Sequence, residues 1–124
     1  MAKASDKKFI YWFSELGIGD VPMVGGKNAS LGEMFANLTS KGVRIPDGYA
    51  ISAYAYDHYI NTSGIRKQIE DLLKGLNASD LTMLADRGNK IRTLIRGTPM
   101  PADLETEIKA AYDELSKRYK SEVD

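Results

Sequence analysis

Two adjacent glycines, Gly25 and Gly26, run into Lys27, Asn28, Ala29 and Ser30 where a helical apolar pattern begins. Those residue types suit a phosphate. Glycine lets the backbone turn freely and approach a ligand closely. A helix N-terminus presents unpaired N–H groups and a partial positive charge. Lysine adds a full charge on a flexible stem, and the Ser30 hydroxyl is a further donor. The competing reading is a tight Gly-Gly turn beside a solvated lysine, with Ser30 bonded inside its own helical turn.

The spacing excludes two common nucleotide motifs. G-x-x-x-x-G-K-[ST] would need glycine at Val21 and Ser or Thr at Asn28. G-x-G-x-x-G does not occur. A nucleotide site in this chain therefore belongs to another fold.

Other side chains carry weaker signals. Arg92 offers a guanidinium fork for a phosphate or a carboxylate, and equally for a surface ion pair. Glu15, Asp20 and Glu33 are of a type that binds magnesium, but they read first as loop and helix-surface charges. Tyr49, Tyr54, Tyr56 and Tyr59 cluster near a β-prone stretch and read as core and rim packing before a base-stacking platform. His58, the single histidine, reads as a helix-surface residue.

These groups must be positioned by a small domain. The 124 residues are 43% hydrophobic and 27% charged, which favours a folded unit over disorder. Seventeen basic side chains balance seventeen acidic ones, so bulk electrostatic binding to nucleic acid or anionic membrane is not expected. No cysteine is present, which excludes disulfides and thiolate metal sites. No apolar run approaches the ~18 residues that span a bilayer, and the basic start is not followed by a signal-peptide core. The expected location is the cytoplasm.

The pattern predicts an α+β, helix-dominated fold with about five helices and two or three short strands. Phe9–Phe13 and Tyr49–Ser52 read as strands, and 14–23 as loop. A helix opens at Lys27 or Asn28 and runs to Leu38. Ser52 is a candidate cap for a helix from Ala53 to Ile60, and Ser79 for a later one. Ile65, Ile69, Leu72 and Leu76 mark one apolar stripe. Leu81, Leu84, Ile91 and Ile95 mark another, with Gly88 on the same face, where a close helix crossing, ahead of a ligand or drift, would explain the glycine. The last helix begins at Pro101 and carries Leu104, Ile108, Ala111, Leu115 and Tyr119 on one face. Residues 1–8 are expected to be a disordered tail, 9–120 the folded portion, and 121–124 a frayed end.

Several segments in one order carry a resemblance. Trp12-Phe13-Ser14-Glu15-Leu16-Gly17, Asp20-Val21, Val24 through Met34, Gly42 through Ala50, and Ile91-Arg92 with Ile95 and Thr98-Pro99 together resemble the start of the phosphoenolpyruvate synthase (pyruvate, water dikinase) family. The related pyruvate phosphate dikinases share the Gly-Gly-Lys element, but the Trp-Phe-x-x-Leu-Gly opening favours the synthases.

The resemblance implies the first part of an ATP-grasp-like ATP-binding domain, whose other strands come later in the chain of such enzymes. It implies ATP and Mg²⁺ as ligands, with Gly25, Gly26, Lys27, Ser30 and Arg92 as cofactor-binding residues. It assigns no catalytic or metal-ligating residue to this chain. The implied parent reaction converts ATP, pyruvate and water to AMP, phosphoenolpyruvate and phosphate through a carrier histidine. His58 lacks the carrier context, and the family's Val-Arg-Ser-Ser segment is absent. Pyruvate would be met only by domains outside this chain, so the chain alone is expected to be inactive. The alternative is a stand-alone nucleotide-binding or protein-interaction module without catalysis. Apolar surface normally covered by later strands leaves self-association open.

Overall fold

A computed structural model describes residues 7–120. The tail residues 1–6 and 121–124 lie outside the described residues. Five α-helices and two strands are found among those described: β1 (Ile10–Trp12), α1 (Val21–Leu38), β2 (Tyr49–Ile51), α2 (Ala53–Thr62), α3 (Arg66–Leu73), α4 (Leu81–Arg96) and α5 (Ala102–Tyr119). The helix-dominated α+β class expected from the sequence is what is observed. No helix among the described residues is long and apolar enough to cross a membrane. The chain forms two compact units. One runs to Asp57 and resumes at Ala102, and the other is His58–Pro101.

The first unit is built on the sheet. β1 and β2 pair antiparallel, with Ile10 opposite Ile51, Tyr11 opposite Ala50 and Trp12 opposite Tyr49. Tyr11, Leu16, Val24, Ala29 and Ala50 form its buried core, with Phe13 and Met23 packed against it. Leu104 and Ala111, both on the predicted α5 stripe, are buried as well. α5 starts at Ala102, one residue after the predicted Pro101. At its far end Arg118 pairs with Asp47 at 2.6 Å and stacks over the Trp12 ring at 3.8 Å. The Tyr119 hydroxyl accepts the Asp47 N–H at 2.6 Å.

The stretch 14–23 is more ordered than the expected loop. Two short 3-10 turns, Phe13–Glu15 and Ile18–Asp20, lead straight into α1. Each is closed by a carboxylate that reaches back three residues. Glu15 accepts the Trp12 N–H and Asp20 the Gly17 N–H, both at 2.8 Å. α1 therefore begins at Val21 rather than at Lys27 or Asn28, with Pro22 in its first turn, where a missing N–H costs no helical bond. Gly32 lies against this stretch. A Cβ there would stand 2.5 Å from Leu16 Cβ, so a side chain is excluded by packing.

Ser52 caps α2 as expected. Its buried Oγ accepts the Ala55 N–H at 3.1 Å and donates to the Lys8 carbonyl at 2.6 Å. The α4 cap differs from expectation. Asp80, not Ser79, accepts the Met83 N–H at 3.0 Å, while the Ser79 N–H goes to Asn77 Oδ1. The shorter Asx turn at Asn77 uses Ser79 first and moves the helix start one residue on.

The second unit has little buried apolar surface. Ile60 and Ile65 are buried, whereas Leu81 is 75% exposed and Leu84 41% exposed on the predicted α4 stripe. Hydrogen bonds tie its parts instead. The Tyr59 hydroxyl lies 2.7 Å from both the Ile95 and Thr98 carbonyls, and Arg87 donates to the Leu72 carbonyl at 2.8 Å. The helix crossing expected at Gly88 is not what fills that space. The nearest atoms to its Cβ position belong to the Arg92 guanidinium of the same helix, at 3.2 Å.

Candidate phosphate-binding turn

Gly25 interrupts α1 with φ 81° and ψ 163°. That region of backbone space is essentially restricted to glycine. The helix restarts after it, so Gly26, Lys27 and Asn28 form a second first turn inside one continuous element. The N–H groups of a first turn have no partner four residues back, and the helix dipole adds positive potential there. Val24 and Ala29 are buried, which anchors both sides of the break. Gly25, Gly26, Lys27 and Ser30 are exposed.

The two glycines have different reasons to lack a side chain. Gly25 needs its positive φ. Gly26 does not, and no heavy atom among the described residues comes within 4 Å of its Cβ position. Neither packing nor backbone geometry within the described structure requires glycine at 26; its bareness leaves room in front of the turn. Lys27 makes no ion pair or hydrogen bond through its side chain among the described residues. Asn28 Nδ2 donates to the Val24 carbonyl at 2.9 Å, across the break.

The remaining predicted site residue lies elsewhere. Arg92 is exposed on α4, in the second compact unit, whereas Gly25–Ser30 belong to the first. His58 is half-buried on α2, with Nδ1 3.4 Å from the Thr62 hydroxyl one turn on.

The carboxylates named as magnesium candidates are occupied with structure. Glu15 pairs with Lys8 and holds the Trp12 N–H. Asp20 is 2% exposed and holds the Gly17 N–H. Glu33 holds the Ile18 N–H at 2.9 Å and the Asn37 amide at 3.0 Å. Among the described residues no three acidic or histidine side chains gather as a metal site. This donor set does not fit a resident Mg²⁺.

Tyr49 and Tyr54 pack against other rings, whereas Tyr56 is 54% exposed. Tyr54 stacks on Phe9 and Tyr49 meets Trp12 edge-on. Burial, with a smaller contribution from Tyr112, raises the Tyr49 hydroxyl above the ordinary tyrosine range. Sequence reasoning missed the cleft of about 480 Å³ that Asn28 shares with Phe13, Tyr49, Tyr112 and Leu115. Tyr112 and Leu115 reach it from α5, far away in the chain, and no local pattern signals that meeting.

A glycine-broken helix presenting a lysine beside a small antiparallel sheet has the character of a nucleotide-binding domain, and the comparisons define which. Residues 21–124 match the pyruvate phosphate dikinase AMP/ATP-binding domain, and the chain belongs to that family. Among its relatives are phosphoenolpyruvate synthases. That of Aquifex aeolicus is 46% identical over 121 residues, covering 98% of this chain and 14% of the relative. That of Synechocystis is 46% identical over 110 residues, covering 89% and 13%. That of Escherichia coli is 41% identical over 116 residues, covering 94% and 15%. The chain thus spans about one seventh of the length of these relatives.

Proposed function

We propose that this chain supplies the phosphate-contacting edge of an ATP site within a phosphoenolpyruvate synthase. The observation that carries the reading is the turn itself: an exposed Lys27 with no side-chain partner among the described residues, after a glycine-only backbone conformation and with open space before Gly26. Family membership supports the nucleotide as ligand. The relatives' names support phosphoenolpyruvate synthesis as the parent activity; transfer from ATP through a carrier histidine to pyruvate is what the resemblance implies.

In this reading the first-turn N–H groups and Lys27 bind the phosphate chain and neutralise charge that spreads over it during transfer. Gly26 lets the backbone come close. Ser30 offers a hydroxyl one turn further along. Arg92, exposed on α4, remains a candidate cofactor-binding residue through the family resemblance alone. Mg²⁺ would accompany ATP and shield its phosphate charge, through ligands other than Glu15, Asp20 and Glu33. The ATP-grasp-like architecture would be completed by strands outside this chain. The chain alone would form no phosphoenolpyruvate, since no described residue is assigned to the carrier or pyruvate steps.

Titration with ATP and magnesium, followed by amide chemical shifts, tests the reading. The expected result is a response centred on Gly25–Ser30 that disappears in Lys27→Ala. No response at millimolar ATP, or one unchanged in Lys27→Ala, overturns it.

A further inference from the structure

The geometry points to Asn28 as a positioning residue that holds the phosphate-binding turn open by latching the two helical pieces of α1 together across Gly25. This rests on the function proposed above.

In an uninterrupted helix the Val24 carbonyl would accept the backbone N–H of residue 28. Gly25 departs from helical geometry between them, and it is the Asn28 side chain that reaches the Val24 carbonyl, at 2.9 Å. A side-chain amide thereby ties the two pieces across the residue where the backbone leaves helical geometry. The backbone N–H groups of Gly26 and Lys27 belong to the ligand-facing first turn.

The latch has a firm footing on both sides. Val24 is 8% exposed and Ala29 is fully buried, so the carbonyl and the amide are each attached to the core. The segment between them has no such attachment: Gly25, Gly26 and Lys27 are exposed, and the two glycines have many alternative backbone states. Without a tie across the break, that freedom would be lost on binding, and the entropy of ordering would weaken the complex. Asparagine suits the role because it is uncharged and carries an N–H donor. Aspartate has the same shape but no donor when ionised, and it would set a negative charge against a carbonyl oxygen.

The test uses Asn28→Ala and the near-isosteric Asn28→Asp, with two readouts. The first needs no ligand. Backbone amide order parameters from nitrogen relaxation at Gly26 and Lys27 should fall from about 0.85 to below about 0.6 in both variants, with those in α5 unchanged. The second is ATP affinity by chemical-shift titration. Asn28→Ala should weaken it by about tenfold, and Asn28→Gln, which keeps the amide donor, should recover part of the loss.

Unchanged order parameters at Gly26 and Lys27 in both variants overturn the latch. Wild-type ATP affinity in Asn28→Ala overturns its role in positioning, while the ATP reading stands. A wild-type chain that ignores ATP overturns the ATP reading and with it the positioning role, and the order parameters still decide the latch.

Discussion

The unit built on the sheet and the unit built from α3 and α4 are held together by different forces. The first buries Tyr11, Leu16, Val24, Ala29, Ala50, Leu104 and Ala111. In the second, Leu73, Leu81, Leu84 and Met100 are each more than 40% exposed, and the ties that recur are hydrogen bonds donated by Tyr59 and Arg87 and one accepted by Asp80. Burial of apolar area is the dominant stabilising contribution in folding, whereas a single hydrogen bond contributes only about 1 kcal/mol net. The difference explains why a glycine-rich, conformationally free turn sits where it does. Gly25 and Gly26 lie between Val24 and Ala29, both anchored in the better-packed unit. Equal freedom on α4 would have little rigid structure beside it.

The largest test of this contrast is a matched pair of truncations. Leu16→Ala removes a buried side chain that covers Gly32 and should cost about 2–5 kcal/mol. Leu81→Ala removes an exposed one and should stay within about 0.5 kcal/mol. Urea unfolding followed by the fluorescence of Trp12, the single tryptophan, measures the first. Circular dichroism follows the second. Similar costs at the two positions would break the comparison.

A smaller effect is expected from Tyr59→Phe. It removes the donor that meets the Ile95 and Thr98 carbonyls at the end of α4 and should cost about 1 kcal/mol. Hydrogen exchange should speed in α4 and stay unchanged in α5. A cost spread evenly over both helices would mean that the hydrogen bond matters no more to one unit than to the other.

The smallest effect concerns pH. Lys67 at 2.8 Å and Lys74 at 3.1 Å hold the Asp71 carboxyl below the ordinary carboxylate range. Its folded-state pKa is thus lower than its unfolded one. The associated stability is present above the unfolded value and is lost as pH falls through the folded value. Both partners are well exposed, so the change should be slight. Asp71→Asn should flatten the acid limb of α3 helicity, measured by circular dichroism with and without salt. An acid limb identical to that of the wild type would remove this pair from the account of the second unit.

Much of the fold was legible because it is periodic. The stripe Leu104, Ile108, Ala111, Leu115 marked α5 in advance, since helical spacing places those residues on one face whatever they meet. Ser52 was legible as a cap for a similar local reason. The Gly-Gly-Lys turn could be located as a place for a phosphate, but not its internal construction. Pro22 looked like a loop residue and proved to open a helix. Asp20 looked like a surface charge and is buried on a backbone amide. Gly88 suggested a helix crossing, and the space beside it is filled by Arg92 from its own helix.

The order of residue types along the chain was enough to determine the helices, the antiparallel pair's two strands and the place where backbone freedom meets a lysine, because those properties depend on neighbours within a turn or two. Only the tertiary structure decided which apolar stripes are buried, that Glu33 meets the Ile18 amide, and that Tyr112 and Leu115 share a cleft with Asn28. Each of those depends on where a distant atom comes to rest, and burial or a hydrogen bond exists only once the partner has arrived.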